Sequence, residues 1–238
     1  MKGALRLFFP PQCLGCAEPV VEEGALCGTC WQDTEFINAH SCAQCGVPLP
    51  PGEDAGPVHC DDCLAIPRPW QDGRAVLVYR GTGRKLAMML KHGDRLDLVP
   101  ALGVWLARVG ESLIKPGMVV TPVPIHPRRL MMRKFNQAAM LSRRVALTHG
   151  LVHAPDLLRR ARYTPSQGQA DFAARALNQQ GSITLRAGAL QAIAGKPVLL
   201  VDDVMASGAT LAVATEALVA AGAGQVSVLV LARAVKDT

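Results

Sequence analysis

Eight cysteines, all between residues 13 and 63, constrain this chain more than any other feature. They form four Cys-x-x-Cys pairs: Cys13/Cys16, Cys27/Cys30, Cys42/Cys45 and Cys60/Cys63. One such turn lets two thiolates converge on an ion, and two turns complete the tetrahedral four-sulfur shell of a structural zinc site. Two structural Zn2+ ions are therefore expected. A disulfide framework is the competing reading, but it belongs to small secreted proteins, and Pro10-Pro11 interrupts the apolar start before it reaches signal-sequence length. A thioredoxin-like redox role would need a single Cys-x-x-Cys beside a strand–helix–strand pattern. Consecutive pairing, with Cys13, Cys16, Cys27 and Cys30 on one ion and Cys42, Cys45, Cys60 and Cys63 on the other, closes only short loops. An interleaved cross-brace needs longer ones, so the consecutive double ribbon is favoured. His40 and His59 adjoin the ligands but are not needed as donors.

The chain has 238 residues, half of them hydrophobic, enough for one full domain plus a smaller appendage. Pro67-Arg68-Pro69 marks the expected boundary between a double zinc ribbon at 1–66 and an α/β domain at 67–238. Strand-like runs at Gly73–Arg80, Val119–Pro124, Leu157-Leu158, Gly181–Leu185, Val198–Val201 and Val226–Leu231 alternate with helical patterns, which implies a parallel sheet flanked by helices. The apolar runs are strand-sized, so membrane insertion is not expected and a cytoplasmic location is. The formal net charge of +6 permits contact with nucleic acid or polyphosphate, but an aromatic content of 4% argues against a base-stacking platform.

Residues 198–210, VLLVDDVMASGAT, carry the clearest chemistry. The apolar run Val198–Val201 reads as a strand buried on both faces, and Asp202 and Asp203 sit at its carboxyl end, where open α/β sheets bind ligands. Ala206, Ser207, Gly208, Ala209 and Thr210 form a tight turn into a helix whose first N–H groups would face an anion. Carboxylates accept hydrogen bonds from a sugar diol and hold hard cations such as Mg2+. Together the two parts suit a ribose phosphate. A second candidate anion site follows the strand Val119–Pro124, where His126-Pro127-Arg128-Arg129 opens a basic loop before a helix at Asn136–Leu147 and Arg128, Arg129, Arg133 and Lys134 offer charge-assisted hydrogen bonds to a pyrophosphate. The polar stretch Thr164–Asn178 reads as a long functional loop, a candidate lid.

The string VLLVDDVMASGAT resembles the phosphoribosyl pyrophosphate (PRPP) signature of type I phosphoribosyltransferases. With the Cys-x-x-Cys pairs and the middle run VPIHPRRLMMRKFNQA, the chain resembles the ComF family of competence-associated, phosphoribosyltransferase-like proteins, which includes GntX-like members. The resemblance covers nearly the whole chain. It implies a type I phosphoribosyltransferase-like α/β fold in which Asp202 and Asp203 contact the ribose hydroxyls and the run through Val204, Met205 and Ala206–Thr210 wraps the 5′-phosphate. By the same resemblance Pro124–Asn136, with Arg128, Arg129 and Arg133, lies on the pyrophosphate side, and Thr164–Asn178 closes over substrate. Expected ligands are PRPP with Mg2+, and the family's association with DNA uptake adds single-stranded DNA and a competence helicase as candidate partners. Two functional readings follow: transfer of phosphoribosyl from Mg-PRPP to an unknown acceptor, or a non-catalytic module that binds single-stranded DNA or a partner through the basic loop and ribbons. One departure stands out. Family members often have Arg-Gly before Phe-Asn-Gln, where this chain has Arg133-Lys134-Phe135, which is expected to alter affinity on the pyrophosphate side.

Metal analysis of the reduced, purified protein is expected to return two zinc ions per chain; a content well below two would contradict the paired-ribbon reading.

Overall fold

Val198, Leu199, Leu200 and Val201 are completely buried in the computed structural model, which describes residues 10–37, 40–52, 56–92, 95–161 and 181–235. The burial follows from the strand's position, because it lies inside a parallel sheet with helices on both faces. The first half of the chain contributes α1 (Gly28–Gln32), α2 (Asp61–Ala65), β1 (Asp72–Val78), α3 (Gly81–His92), α4 (Val99–Gly110) and β2 (Val119–Pro122). The second half contributes α5 (Pro127–Arg133), α6 (Gln137–His149), β3 (Val152–His153), β4 (Leu158–Arg160), β5 (Ile183–Leu185), α7 (Leu190–Ile193), β6 (Val198–Met205), α8 (Ala209–Ala220) and β7 (Val226–Arg233). The main sheet runs β1-β7-β6-β2-β3, with every neighbouring pair parallel.

Side chains alternate across a strand, so each residue of the run Val198–Val201 serves one face or the other. Leu199 and Val201, with Leu229 and Leu231 of β7, pack against Leu86, Leu90, Leu102, Leu106, Leu141 and Val145 from α3, α4 and α6. Val198 and Leu200, with Val228 and Val230, pack against Ile193 of α7 and Leu211, Ala212, Ala214 and Leu218 of α8. A strand with two apolar faces has no polar alternation to show, which is why it reads as a continuous hydrophobic run.

The helical and strand boundaries differ from expectation in three places. Leu157-Leu158 and Gly181–Leu185 do not join the parallel sheet; Leu158–Arg160 and Ile183–Leu185 pair with each other in a separate antiparallel ribbon. Both short strands are buried at one position only, a pattern suited to a one-sided surface ribbon. The segment after Pro124, expected as a basic loop, forms the helix α5, started by Pro127 at its first position and by the His126 side chain accepting from the Arg128 amide. The candidate lid Thr164–Asn178 lies outside the described residues.

The cysteine-rich segment covers the exposed edge of the sheet. β1 is an edge strand, and uncovered edges invite unwanted pairing. Here the Ile37 amide donates to the Val76 carbonyl at 2.9 Å, the Val78 amide to Glu35 at 2.9 Å, and the Gly73 amide to Ala43 at 2.9 Å. The turn at Cys42–Cys45 approaches β1 so closely that a Cβ on Gly73 would lie 2.2 Å from the Gln44 carbonyl oxygen. Trp70, only 1% exposed, donates its indole N–H to that same carbonyl at 2.6 Å. The first ribbon docks too: the Asp33 carboxylate accepts from the Thr82 amide and hydroxyl, both at 2.7 Å, in the first turn of α3.

Gly73→Ala is expected to destabilise the protein by about 1–3 kcal/mol through overpacking against the Gln44 backbone. Equilibrium denaturation is the check, and an unchanged midpoint would contradict this docking.

Candidate functional site

β6 does not stop before its aspartates: it runs through Asp202 and Asp203 to Met205, with Asp202 in register with Val230 and Val204 with Ala232. Strand alternation therefore sends the two carboxylates to opposite sides of the sheet end. Asp203 is nearly buried and lies 3.8 Å from the Lys91 ammonium at the end of α3. Asp202 lies within electrostatic reach of Arg160 at the end of β4. Each carboxylate is steadied by the backbone beyond it. The Asp203 amide donates to Asp202 Oδ1 and the Val204 amide to Asp203 Oδ1, both at 2.8 Å.

The two aspartates floor a cleft at the carboxyl ends of β2 and β6, with about 630 Å3 of free space, counting that open to solvent. Arg129 and Arg133 of α5, Arg160 of β4 and Lys91 of α3 form its cationic wall. Val123 and Pro124 beyond β2, Val204 and Thr210 complete it, together with His126, Asn136 and Gln137. The last two are held in place: Asn136 accepts from the Ala138 amide and donates to the Val123 carbonyl, each at 3.1 Å, while Gln137 donates to the Lys91 carbonyl at 3.1 Å. The helix α5 carrying the arginines ends at Lys134 in the left-handed region, φ 64°. That conformation is the one glycine adopts without cost, which gives the departure at this position a backbone meaning.

The expected site residues divide. Asp202, Asp203, Val204, Thr210, Arg129 and Arg133 line the cleft, whereas Arg128 is exposed and outside the lining. Met205 ends β6, Ala206, Ser207 and Gly208 form the turn, with Gly208 at φ 83°, and Ala209 opens α8, its amide donating to Ser207 Oγ at 3.4 Å. His126 and Asn136 complete the wall from within the expected pyrophosphate-side stretch Pro124–Asn136, Lys91 joins it from α3, and Arg160 and Gln137 do so without having been expected there. Only the adjacent Arg159-Arg160 pair behind a short apolar run offered a local sign; Lys91 arrives by the sheet's topology.

The charges strain against each other. Burial, and then the neighbouring Asp203 charge, push the Asp202 carboxyl well above the ordinary carboxylate range. Burial lowers Arg160 and Arg133, with Arg129 repelling both. Burial and the surrounding Arg128, Arg160 and Arg129 lower His126. Such a cleft suits a ligand that brings several negative charges to the arginine wall, and hydroxyls or a hard cation to the carboxylates.

The cysteines separate into two quartets, Cys13, Cys16, Cys27, Cys30 and Cys42, Cys45, Cys60, Cys63, so the consecutive pairing holds. Within each quartet all sulfurs lie within 4.8 Å of one another, and the Cys16–Cys27 and Cys45–Cys60 separations are 3.6 Å. Tetrahedral zinc–thiolate bonds of about 2.3 Å set neighbouring sulfurs about 3.8 Å apart, so the donors fit the metal. Burial drives the Cys30 thiol up to about 12, while Cys13, although burial pushes it up, is held at about 6 by backbone N–H donors led by Cys27. Four thiolates side by side call for a cation.

Residues 4–64 match the double zinc ribbon domain family, and residues 147–238 the phosphoribosyl transferase domain family. Over 95% of this chain and 99% of each relative, the sequence is 30% identical to DNA utilization protein YhgH of Salmonella typhi, 28% to that of Escherichia coli strain K12 and 25% to competence protein F of Haemophilus influenzae. Among solved structures, glutamine PRPP amidotransferase from B. subtilis complexed with ADP and GMP is 22% identical with a TM-score of 0.40, over 60% of this chain and 30% of that one. An adenine phosphoribosyltransferase is 18% identical with a TM-score of 0.36, over 58% of this chain and 72% of that one. No helix among the described residues is long and apolar enough to cross a membrane.

The raised Asp202 carboxyl has a stability consequence. Between the unfolded value of about 3.9 and the higher folded one, the native state holds a proton that the unfolded chain has released. Stability of the ligand-free protein therefore falls as pH rises through that window and stays lowered above it. Asp202→Asn keeps the oxygen that accepts from Asp203 and removes the charge, so it is expected to stabilise the ligand-free protein at pH 7. Denaturation at pH 5 and pH 7 tests this; a variant no more stable than wild type at pH 7 would contradict it.

Proposed function

The chain belongs to the ComF family of competence and DNA-utilization proteins, and we propose that its cleft binds Mg2+-PRPP. In this reading Asp202 and Asp203 accept hydrogen bonds from the ribose diol and help hold Mg2+, and the turn Ala206–Thr210 receives the 5′-phosphate through its amides and the Ser207 and Thr210 hydroxyls. The pyrophosphate lies toward Arg129, Arg133 and Arg160, with Lys91 balancing the charge on Asp203. The observation that carries this reading is the acid pair facing a cationic wall across one cleft, a match to a ligand with a diol at one end of a sugar and phosphates at both.

Transfer to an acceptor is the next chemical step open to such a complex. The bond from the ribose anomeric carbon to pyrophosphate would break, its electron pair leaving with pyrophosphate, as a bond forms to the acceptor and the acceptor's proton passes to solvent. Pyrophosphate is a good leaving group, so positioning and neutralisation of its charge by Arg129 and Arg133 would carry most of the catalysis. Release of pyrophosphate with a panel of bases, and with single-stranded DNA, separates transfer from binding alone.

A second reading, a surface for single-stranded DNA, draws on the outer side of α5. Met131 and Met132 are 82% and 84% exposed there, beside the exposed Arg128 and Lys134. Backbone-dominated DNA binding weakens steeply with salt. Arg128→Ala with Lys134→Ala is expected to reduce both the affinity for single-stranded DNA and the salt slope, while leaving the cleft residues untouched. An absence of salt-sensitive DNA binding would remove this reading.

Calorimetry tests the first. Wild-type protein is expected to bind Mg2+-PRPP, Asp202→Asn with Asp203→Asn to weaken it by about 100-fold or more, and Arg129→Ala with Arg133→Ala by about 10–100-fold. Unchanged binding in the aspartate variant would sink the proposed placement of the ribose.

A further inference from the structure

The turn that follows β6 is held by two arginines that do not line the cleft and that also reach the second cysteine quartet. Arg233, at the end of β7, is 5% exposed. Its guanidinium donates to the Ala206 carbonyl at 2.6 Å, to the Met205 carbonyl at 3.3 Å and to the Ala234 carbonyl, while its other terminal nitrogen lies 3.9 Å from Cys45 Sγ. Arg68, from the segment joining ribbon to sheet, donates to the Ser207 carbonyl at 3.0 Å and hydrogen-bonds the Cys63 thiol. Between them stands Trp70. Its ring lies under the Arg68 guanidinium and 3.1 Å from where a Cβ on Gly208 would be, and its N–H holds the Gln44 carbonyl inside the Cys42–Cys45 turn.

The charges make the contacts more than packing. Among the described residues no carboxylate pairs with Arg233. A buried guanidinium needs an opposite charge nearby, and four thiolates around Zn2+ leave a net charge of about −2. The loaded quartet is thus the counter-ion of Arg233, whose other terminal nitrogen holds the Met205 and Ala206 carbonyls at the start of the turn, while its Nε has no hydrogen-bond partner.

We propose that Arg233 and Arg68 are positioning residues through which the metal-loaded second quartet sets the conformation of the turn Ala206–Gly208. The consequence for ligand rests on that turn being the seat of the 5′-phosphate. With the Ala206 and Ser207 carbonyls engaged by the arginines, the turn's amides remain the donors it can offer a phosphate. The second ribbon is then part of the ligand site's support rather than only a cover for the sheet edge, and the first quartet, which has no such bridge among these contacts, is the internal control.

The test uses the full-length, zinc-loaded chain in three forms: wild type, Arg68→Ala and Arg233→Met, with Arg233→Lys as the conservative rescue. Hydrogen exchange is followed at amides 206–212 and, as control, at the first quartet, and calorimetry with Mg2+ compares ribose 5-phosphate with inorganic pyrophosphate. Both disruptive variants are expected to keep two zinc ions. They are expected to exchange about ten times faster at the turn and not at the first quartet, and to lose about tenfold in affinity for ribose 5-phosphate while pyrophosphate stays within about twofold. Arg233→Lys is expected to restore part of the protection. Turn exchange at the wild-type rate in both variants, or equal losses for both ligands, would overturn the proposal. Should Arg233→Met fail to fold, the partly exposed Arg68 decides alone. Should wild-type protein not bind ribose 5-phosphate, the functional reading fails, while the exchange measurement still decides the tether.

Discussion

The pairing of β6 on both of its edges is the constraint from which the rest of the molecule follows. A strand hydrogen-bonded to β7 on one side and β2 on the other has no freedom to shift register, because a slip of one residue would turn every side chain to the opposite face. That rigidity places Asp202 and Asp203, which burial would otherwise penalise, at a fixed point where the apolar core ends. The same strand end meets α3, α5 and β4, elements spread along the sequence from Gly81 to Arg160, and the cationic side chains of the cleft come from all three. Rigid elements hold a site more tightly than loops do, and here both carboxylates stand on a strand.

The zinc ribbons solve a different problem. An α/β sheet of this order leaves β1 at an edge, and the chain closes it with backbone from the ribbon segment, Glu35, Ile37 and Ala43 acting as edge partners. The approach is too close for any side chain at Gly73, so the metal turn and the sheet are fitted backbone to backbone. Arg68, Trp70 and Arg233 extend that fit across to the turn between β6 and α8. The raised carboxyl of Asp202 shows the other side of the arrangement: the site costs stability in the absence of ligand, and the ribbon docking supports the strand ends that carry it.

Much of this was legible in the residues. The spacing of eight cysteines implied two closed sulfur shells, and the short loops chose consecutive pairing. The continuous run Val198–Val201 followed by two aspartates marked a central parallel strand and the end of the sheet where ligands bind. What failed was local. Leu157-Leu158 and Gly181–Leu185 are too short for periodicity to tell a sheet strand from a surface ribbon, and the stretch after His126 reads as a loop until its proline and cap are weighed as a helix start. Lys91 and Arg160 reach the cleft only because distant segments converge, which no local pattern encodes. Arg128 was grouped with Arg129 by adjacency, although on a helix neighbouring residues point about 100° apart and only one can face the cleft.

The proposed binding of PRPP requires a single ligand orientation, with sugar on the aspartates, one phosphate on the turn before α8 and two on the arginines. A crystal structure of the full chain with Mg2+ and PRPP tests it most directly. Ribose hydroxyls are expected within hydrogen-bond distance of Asp202 and Asp203, the 5′-phosphate against the amides of residues 206–210, and pyrophosphate oxygens on Arg129 and Arg133. Density for the ligand with its phosphates reversed, or bound away from β6, would contradict it.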